Sequence, residues 1–264
     1  MSPDLSFVIL LIVKMAVTAG FVLAATVTAE RAGPLVGGLV STLPIGAGPV
    51  YVFLALDHDA HFIAQSAVAS LTINAANGIF ALVYAQLAQK RSLAVSLPSA
   101  FLVWLVLALA IYSIHWSFGA ATAANVLVLS LCVWLARPLR HVRMPAFHAR
   151  WYELAMRAGL VAILVGVTVT FSFQLGPGGS GFLAVIPVAL FSVMFILHSR
   201  VGGKPAAAVL ANAPLGLMGF GLVCAVLHVT AEPFGTAIGL TLALATSIGW
   251  IFAVLLARRT GVAV

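Results

Sequence analysis

The chain has 264 residues, of which 63% are hydrophobic and only 7% are charged, and its formal net charge is +7 at pH 7. Soluble domains carry roughly a quarter charged residues. The composition therefore excludes a soluble globular protein and predicts an integral membrane protein of the all-α class. The basic residues are scattered singly between apolar runs, a pattern that argues against binding to nucleic acid.

Nine transmembrane helices are predicted from the apolar runs and the turn residues between them. A bilayer core about 30 Å thick requires about 20 apolar residues for each helical crossing. The first run is too long for a signal peptide, so we expect it to be retained as a span. The predicted spans cover residues 7–29, 34–56, 61–88, 97–115, 117–136, 153–174, 178–198, 205–229 and 234–257.

The distribution of Lys and Arg predicts the orientation, because these residues collect in cytoplasmic loops. We expect the N-terminus outside, the C-terminus in the cytoplasm, and an integral location in a bacterial inner membrane. Eleven of the thirteen Lys and Arg residues then fall in cytoplasmic segments, namely Arg31, Lys90, Arg91, Arg137, Arg140, Arg143, Arg150, Arg200, Lys204, Arg258 and Arg259.

An internal repeat appears when the sequence is shifted by 143 residues. The shift aligns "GPLVGGLVSTLP" at 33–44 with "GPGGSGFLAVIP" at 176–187, and it also pairs Lys14 with Arg157. Five predicted helices separate equivalent positions, so an odd number of crossings lies between them. The two copies are therefore predicted to run through the membrane in opposite directions, as inverted repeats.

Helices 1–4 of the first copy are expected to match helices 6–9 of the second. Inverted repeats are typical of secondary transporters, whose substrate sites lie near the bilayer midplane where the repeats meet. The alternative is a duplication that records evolutionary history alone. The predicted organisation is a first repeat at 1–116, a linker of helix 5 and a basic cytoplasmic loop at 117–152, and a second repeat at 153–264.

Helices 2 and 7 are predicted to be kinked or discontinuous. Pro44 and Pro49 lie in helix 2 and Pro187 lies in helix 7, and a proline inside a helix removes a backbone hydrogen bond. Gly38 and Gly181, near the starts of these helices, leave backbone N–H groups uncovered where the helix dipole favours an anion. The simpler interpretation is a pair of kinks that improve packing.

The remaining candidate substrate-binding residues are polar side chains within the spans. Lys14 and Arg157 are semi-buried cations, although either could extend to the membrane surface. No Asp or Glu lies at mid-span, which favours an anionic ligand. The uncharged candidates could instead form hydrogen bonds between helices; they are Ser41, Thr42, Asn74, Asn77 and Asn212.

These features predict a secondary-active transporter that moves a small anionic or acid-bearing solute by alternating access. The alternatives are an integral-membrane enzyme or accessory factor that acts on a lipid, and a passive channel. The sequence has no nucleophile with a nearby base and no metal-ligand spacing of a recognised kind. We therefore expect no catalysis, cofactor or metal, and we expect the solute and the lipid bilayer as partners, with a homo-oligomer compatible with the pattern.

Overall fold

The computed structural model describes residues 3–31, 46–140 and 150–260, which are helical and contain no β-strand within those ranges. The all-α prediction is confirmed. Residues 137–139 form a short 3-10 helix. The α-helices are α1 (Pro3–Arg31), α2 (Ala47–Asp57), α3 (Ala60–Leu87), α4 (Leu93–Tyr112), α5 (Phe118–Ala136), α6 (Trp151–Ala184), α7 (Val188–Val201), α8 (Gly203–Leu210), α9 (Ala213–Phe234) and α10 (Thr236–Arg259).

Seven apolar segments of the described chain are long enough to cross a bilayer, so the protein is an integral membrane protein. The longest, Trp151–Val201, has 51 residues and would extend about 76 Å as a straight helix. It doubles back instead, because Arg200 Nε and Glu153 Oε1, near its two ends, lie 3.3 Å apart. This segment therefore supplies two crossings.

The reversal takes place at Gly176. Its φ of 65° and ψ of −172° lie in a region that is essentially restricted to glycine. Pro177 follows at once, and a proline suits the first turn of a new helix because no intrahelical acceptor is available for an N–H there. The sequence placed the end of the sixth span and the start of the seventh at this point.

The chain leaves helical geometry a second time between α6 and α7, at Val185, Ile186 and Pro187. This is the interruption expected in the seventh predicted span. A further break, at Ala211 and Asn212, divides the eighth predicted span into α8 and α9 and was missed. Pro214 in the first turn of α9 is the signal for it, since a proline disfavours helical geometry in the residue before it.

The second predicted span is described only from Gly46 onward. Pro44 lies outside the described residues, and Pro49 lies in the first turn of α2 without interrupting it. The kink expected in that span, the role of both prolines as hinges and the count of nine spans stay predictions.

Helix α3 is the centre of the bundle. In its most apolar window 83% of the residues are buried, against 17% for α1 and for α10, which face outward. Helix α9 runs antiparallel to α3, because His61 near the start of α3 contacts Glu232 near the end of α9 at 2.8 Å. Met15 packs on Gly166, while Val22 packs with Ala158 and Val161, so α1 and α6 are antiparallel as well.

Helix α5, the predicted linker, packs against both α3 and α9 at two equivalent glycines. Gly78 faces the Leu129 side chain, and Gly221 faces the side-chain oxygen of Asn125. Asn125 also donates a 2.9 Å hydrogen bond to the carbonyl of Leu71 in α3. The glycine pair that helped to define the repeat therefore serves close packing of the linker.

Candidate functional site

A central cavity of about 80 Å³ lies where the interrupted helices meet. One water position requires about 10–15 Å³, so the cavity has room for a solute of a few atoms. The break between α6 and α7 forms one wall, and the starts of α2 and α9 form others. Among the described residues its lining comprises Gly46, Ala47, Asn77, Val161, Leu164, Ala184–Leu190, Ala213, Leu217 and Phe220.

Two helices begin at this cavity without a capping side chain. The residue before α2 is Gly46 and the residue before α7 is Pro187, and neither forms a side-chain cap hydrogen bond. The first N–H groups of a helix have no intrahelical acceptor and carry the positive end of its dipole. The wall of the cavity is therefore electropositive although no cationic side chain lines it among the described residues.

Asn77 stabilises the broken segment that borders the cavity. Its amide nitrogen donates a 2.9 Å hydrogen bond to the carbonyl of Val185, and its side-chain oxygen accepts one of 2.7 Å from the indole of Trp104. The carbonyl of Val185 belongs to the interrupted stretch, so this bond replaces one that a continuous helix would supply. The interpretation of Asn77 as an interhelical contact fits this geometry, and it also lines the cavity.

Asn74, one turn earlier on α3, links α3 to α9. Its amide nitrogen donates a 2.8 Å hydrogen bond to the carbonyl of Leu217, a residue that lines the cavity. Its side-chain oxygen is buried without a hydrogen-bond partner in the described structure. Asn212 donates to the carbonyl of Ala208 in the preceding turn and lies beside Ala213 at the cavity wall.

Lys14 forms an ion pair outside the central cavity. Its Nζ lies 2.6 Å from Oδ2 of Asp57 at the end of α2, and only 6% of the Lys14 side chain is exposed. The sequence analysis assigned Asp57 to an external loop and missed this partner. The pair neutralises the cation locally, so the expected role of Lys14 as a free anion contact is not supported by the geometry and stays a prediction.

The two predicted basic residues lie at different depths. Arg157 is buried on α6, nine residues before Gly166, which packs beside Met15. Nine helical residues correspond to about 13 Å along the axis. Lys14 and Arg157 therefore do not share one binding site.

A second ion pair lies near the opposite end of the bundle. Glu153 and Arg200 join the start of α6 to the end of α7, and Tyr84 near the end of α3 contacts His198 at 2.9 Å at the same end. Positions 57 and 200 are equivalent under the shift of 143 residues, and they carry opposite charges. That correspondence was the signal available in the sequence for both pairs.

Gly181 lies in a helix-packing contact with α3. A Cβ atom at this position would overlap the carbonyl oxygen of Ser66 and the side chain of Ala69. The carbonyl of Gly181 also accepts a 2.8 Å hydrogen bond from Ser70 Oγ. The residue permits close helix approach, and its predicted contact with an anion stays a prediction. Gly38, Ser41 and Thr42 lie outside the described residues.

His58, in the turn after α2, stacks on Phe62 with ring centroids 3.7 Å apart and hydrogen-bonds Ser172 Oγ at 2.7 Å. Burial lowers the pKa of His58 below its usual value; nearby Lys14 lowers it further, and the carboxylates of Asp57 and Asp59 oppose this effect. His61 contacts Glu232 instead, so the two histidines of "LDHDAHF" have separate partners.

Acidification is expected to destabilise the protein partly through His58. Because its pKa is lower in the folded than in the unfolded state, the unfolded chain binds more protons below about pH 6.5. This contribution is present above that pH and is lost as the pH falls through the folded-state pKa. The melting temperature in detergent should fall less between pH 7 and pH 5 for His58→Gln than for wild type. The exposed His115→Gln is the control, and equal slopes for all three proteins would contradict the assignment.

No family model, curated protein or solved structure matches this chain.

Proposed function

We propose that the protein is a secondary transporter for a small anionic or acid-bearing solute, which binds in the central cavity. The observation that carries this proposal is the meeting of two uncapped helix starts, those of α2 and α7, at one cavity between broken segments. Half-helix N-termini directed at an anionic group near the bilayer midplane are a recurring feature of carriers built from inverted repeats.

Equivalent positions of the two copies line the cavity together. Under the shift of 143 residues Gly46 corresponds to Ala189, and both border the cavity. Asn77 corresponds to Phe220, and they border it as well. The hydrogen bond from Asn74 to Leu217 also joins equivalent positions. Residues that contact their own equivalents lie close to a two-fold axis, so these contacts support inverted repeats with the substrate site on the axis.

Alternating access would then use the two ion pairs at opposite ends of the bundle. The Lys14–Asp57 pair ties α1 to α2, and the Glu153–Arg200 pair ties α6 to α7. Each pair therefore joins the first helix of one copy to the end of its interrupted second helix. We propose the Arg200 end as cytoplasmic, because Lys90 and Arg91 follow α3 at that end.

The test introduces a competing carboxylate into the cavity. Ala189 lies in the first turn of α7, where an aspartate is compatible with the helix dipole. Ala189→Asp should remain folded but lose the thermal stabilisation that acetate, chloride or phosphate gives to wild type, and it should lose counterflow of the stabilising anion in proteoliposomes. Ala189→Asn, uncharged and nearly isosteric, is the matched control and should retain both.

Two outcomes would replace the proposal. Conductance that does not saturate with anion concentration, without counter-exchange, would indicate a channel. Absence of any anion-dependent stabilisation in wild type, together with turnover of a lipid, would indicate the lipid-acting alternative.

A further inference from the structure

A second and larger cavity, of about 470 Å³, forms a groove between α1, α2, α9 and α10. Its lining is almost entirely apolar, and its polar members are satisfied elsewhere. Thr18 and Thr241 donate to carbonyls of their own helices, at 2.8 Å and 2.9 Å, and the Tyr51 hydroxyl donates to Ser70 Oγ at 2.7 Å. The groove therefore presents a hydrocarbon-like surface.

The corresponding position in the other copy is filled by four aromatic side chains. Phe80, Phe101, Trp104 and Phe191 pack together, with ring centroids of Phe101 and Trp104 5.4 Å apart and those of Phe101 and Phe191 6.1 Å apart. Their equivalents under the shift line the groove and are smaller, namely Val223, Leu244, Ser247 and Gly48. The groove is therefore encoded by local residue choice and is not a requirement of the repeated architecture.

The groove opens sideways toward the surface of the bundle. Lining side chains on three different helices are exposed: Phe21 to 52%, Val52 to 47% and Leu244 to 62%. In a membrane protein such apolar surface faces lipid hydrocarbon, so an apolar chain can enter without crossing water.

The inner end of the groove adjoins the central cavity. Ala47 and Phe220 line both spaces, and Ala47 belongs to the uncapped first turn of α2. Lys14 near the groove is already paired with Asp57, so the nearest electropositive position for a head group is the central cavity.

We propose that the substrate class is an amphipathic anion with an unbranched hydrocarbon chain. Its anionic head binds at the helix starts in the central cavity, and its chain lies in the groove between α1, α2, α9 and α10. This inference rests on the proposed function, which supplies the head-group site, and adds the chain site.

The experiment compares alkyl carboxylates of different length. Protein in phosphatidylcholine nanodiscs is titrated with butyrate, hexanoate and octanoate, and affinity is referred to the free concentration of each. Burial of one methylene contributes about 0.8 kcal/mol, so we expect affinity to increase by about fourfold for each methylene added. Gly48→Phe introduces the aromatic residue of the other copy into open space. It should remove the dependence on chain length while leaving butyrate affinity unchanged.

The controls separate this inference from the proposed function. Gly249→Phe on the exposed side of α10, where a Cβ atom also meets nothing, should behave as wild type. Ser247→Trp fills the same groove from α10 and replaces Gly48→Phe if that variant fails to fold. Butyrate binding with no dependence on chain length, or octanoate binding unaffected by either groove variant, overturns the chain site alone. No binding of any carboxylate by folded wild type overturns the head-group site, and with it both proposals.

Discussion

Replacement of Lys14 by alanine is expected to lower the free energy of unfolding by about 3 kcal/mol and to abolish transport. Removal of one partner from a buried ion pair costs about 3–5 kcal/mol, because the other charge is left without compensation. The Asp57 side chain is 23% exposed, which places the expected loss at the lower end of that range. Unfolding in detergent and counterflow in proteoliposomes measure the two effects.

A double variant separates the structural role of Lys14 from a role in binding. In Lys14→Met/Asp57→Leu both charges are absent and the buried volume is largely retained, so stability should return to near the wild-type value. We expect anion-dependent stabilisation to return with it, because Lys14 does not line the central cavity. A stable double variant that binds no anion would instead show that Lys14 contacts the substrate.

Replacement of Gly181 by alanine is expected to be the most damaging change of a single methyl group in the second copy. The new Cβ atom would overlap backbone atoms of Ser66 and the side chain of Ala69, so α6 and α3 would have to separate. Overpacking of this kind costs typically 1–3 kcal/mol. The hydrogen bond from Ser70 to the Gly181 carbonyl would be strained as well. We expect a lower melting temperature and a reduced yield of folded protein in detergent.

Gly178→Ala, one turn earlier on the same helix, is the matched control. Its Cβ atom would lie 3.8 Å from Tyr112 Cε2, an ordinary van der Waals contact. Alanine also favours helical geometry over glycine by about 0.5–1 kcal/mol, so this variant should be as stable as wild type or slightly more stable. If Gly181→Ala keeps wild-type stability and loses only anion binding, the packing explanation is wrong and the anion contact predicted from the sequence is supported.

The positions of the helices followed closely from hydropathy and from proline and glycine. The interruption at Pro187 and the reversal at Gly176 were both marked by residues that cannot continue a helix. The break at Asn212 was missed because the surrounding residues are continuously apolar, and hydropathy is insensitive to a one-turn interruption inside such a run.

The partners of the charged residues could not be obtained in the same way. Asp57 is 43 residues from Lys14 in the sequence, and whether its carboxylate reaches that ammonium depends on how α1 and α2 pack. Gly181 looks the same in the sequence whether its open side faces a ligand or the backbone of another helix. The position of Ser66 decides between these, and it is set by the packing of α6 on α3.

The sequence by itself determined the membrane location, the all-helical class, most helix limits and the correspondence between two copies, because these depend on local composition and on spacing along the chain. Tertiary structure decided which helix starts meet at one cavity, which cation is neutralised, and which of two equivalent positions is filled by aromatic rings or left as a groove. Those properties depend on the distances between side chains far apart in the sequence, and packing alone fixes such distances.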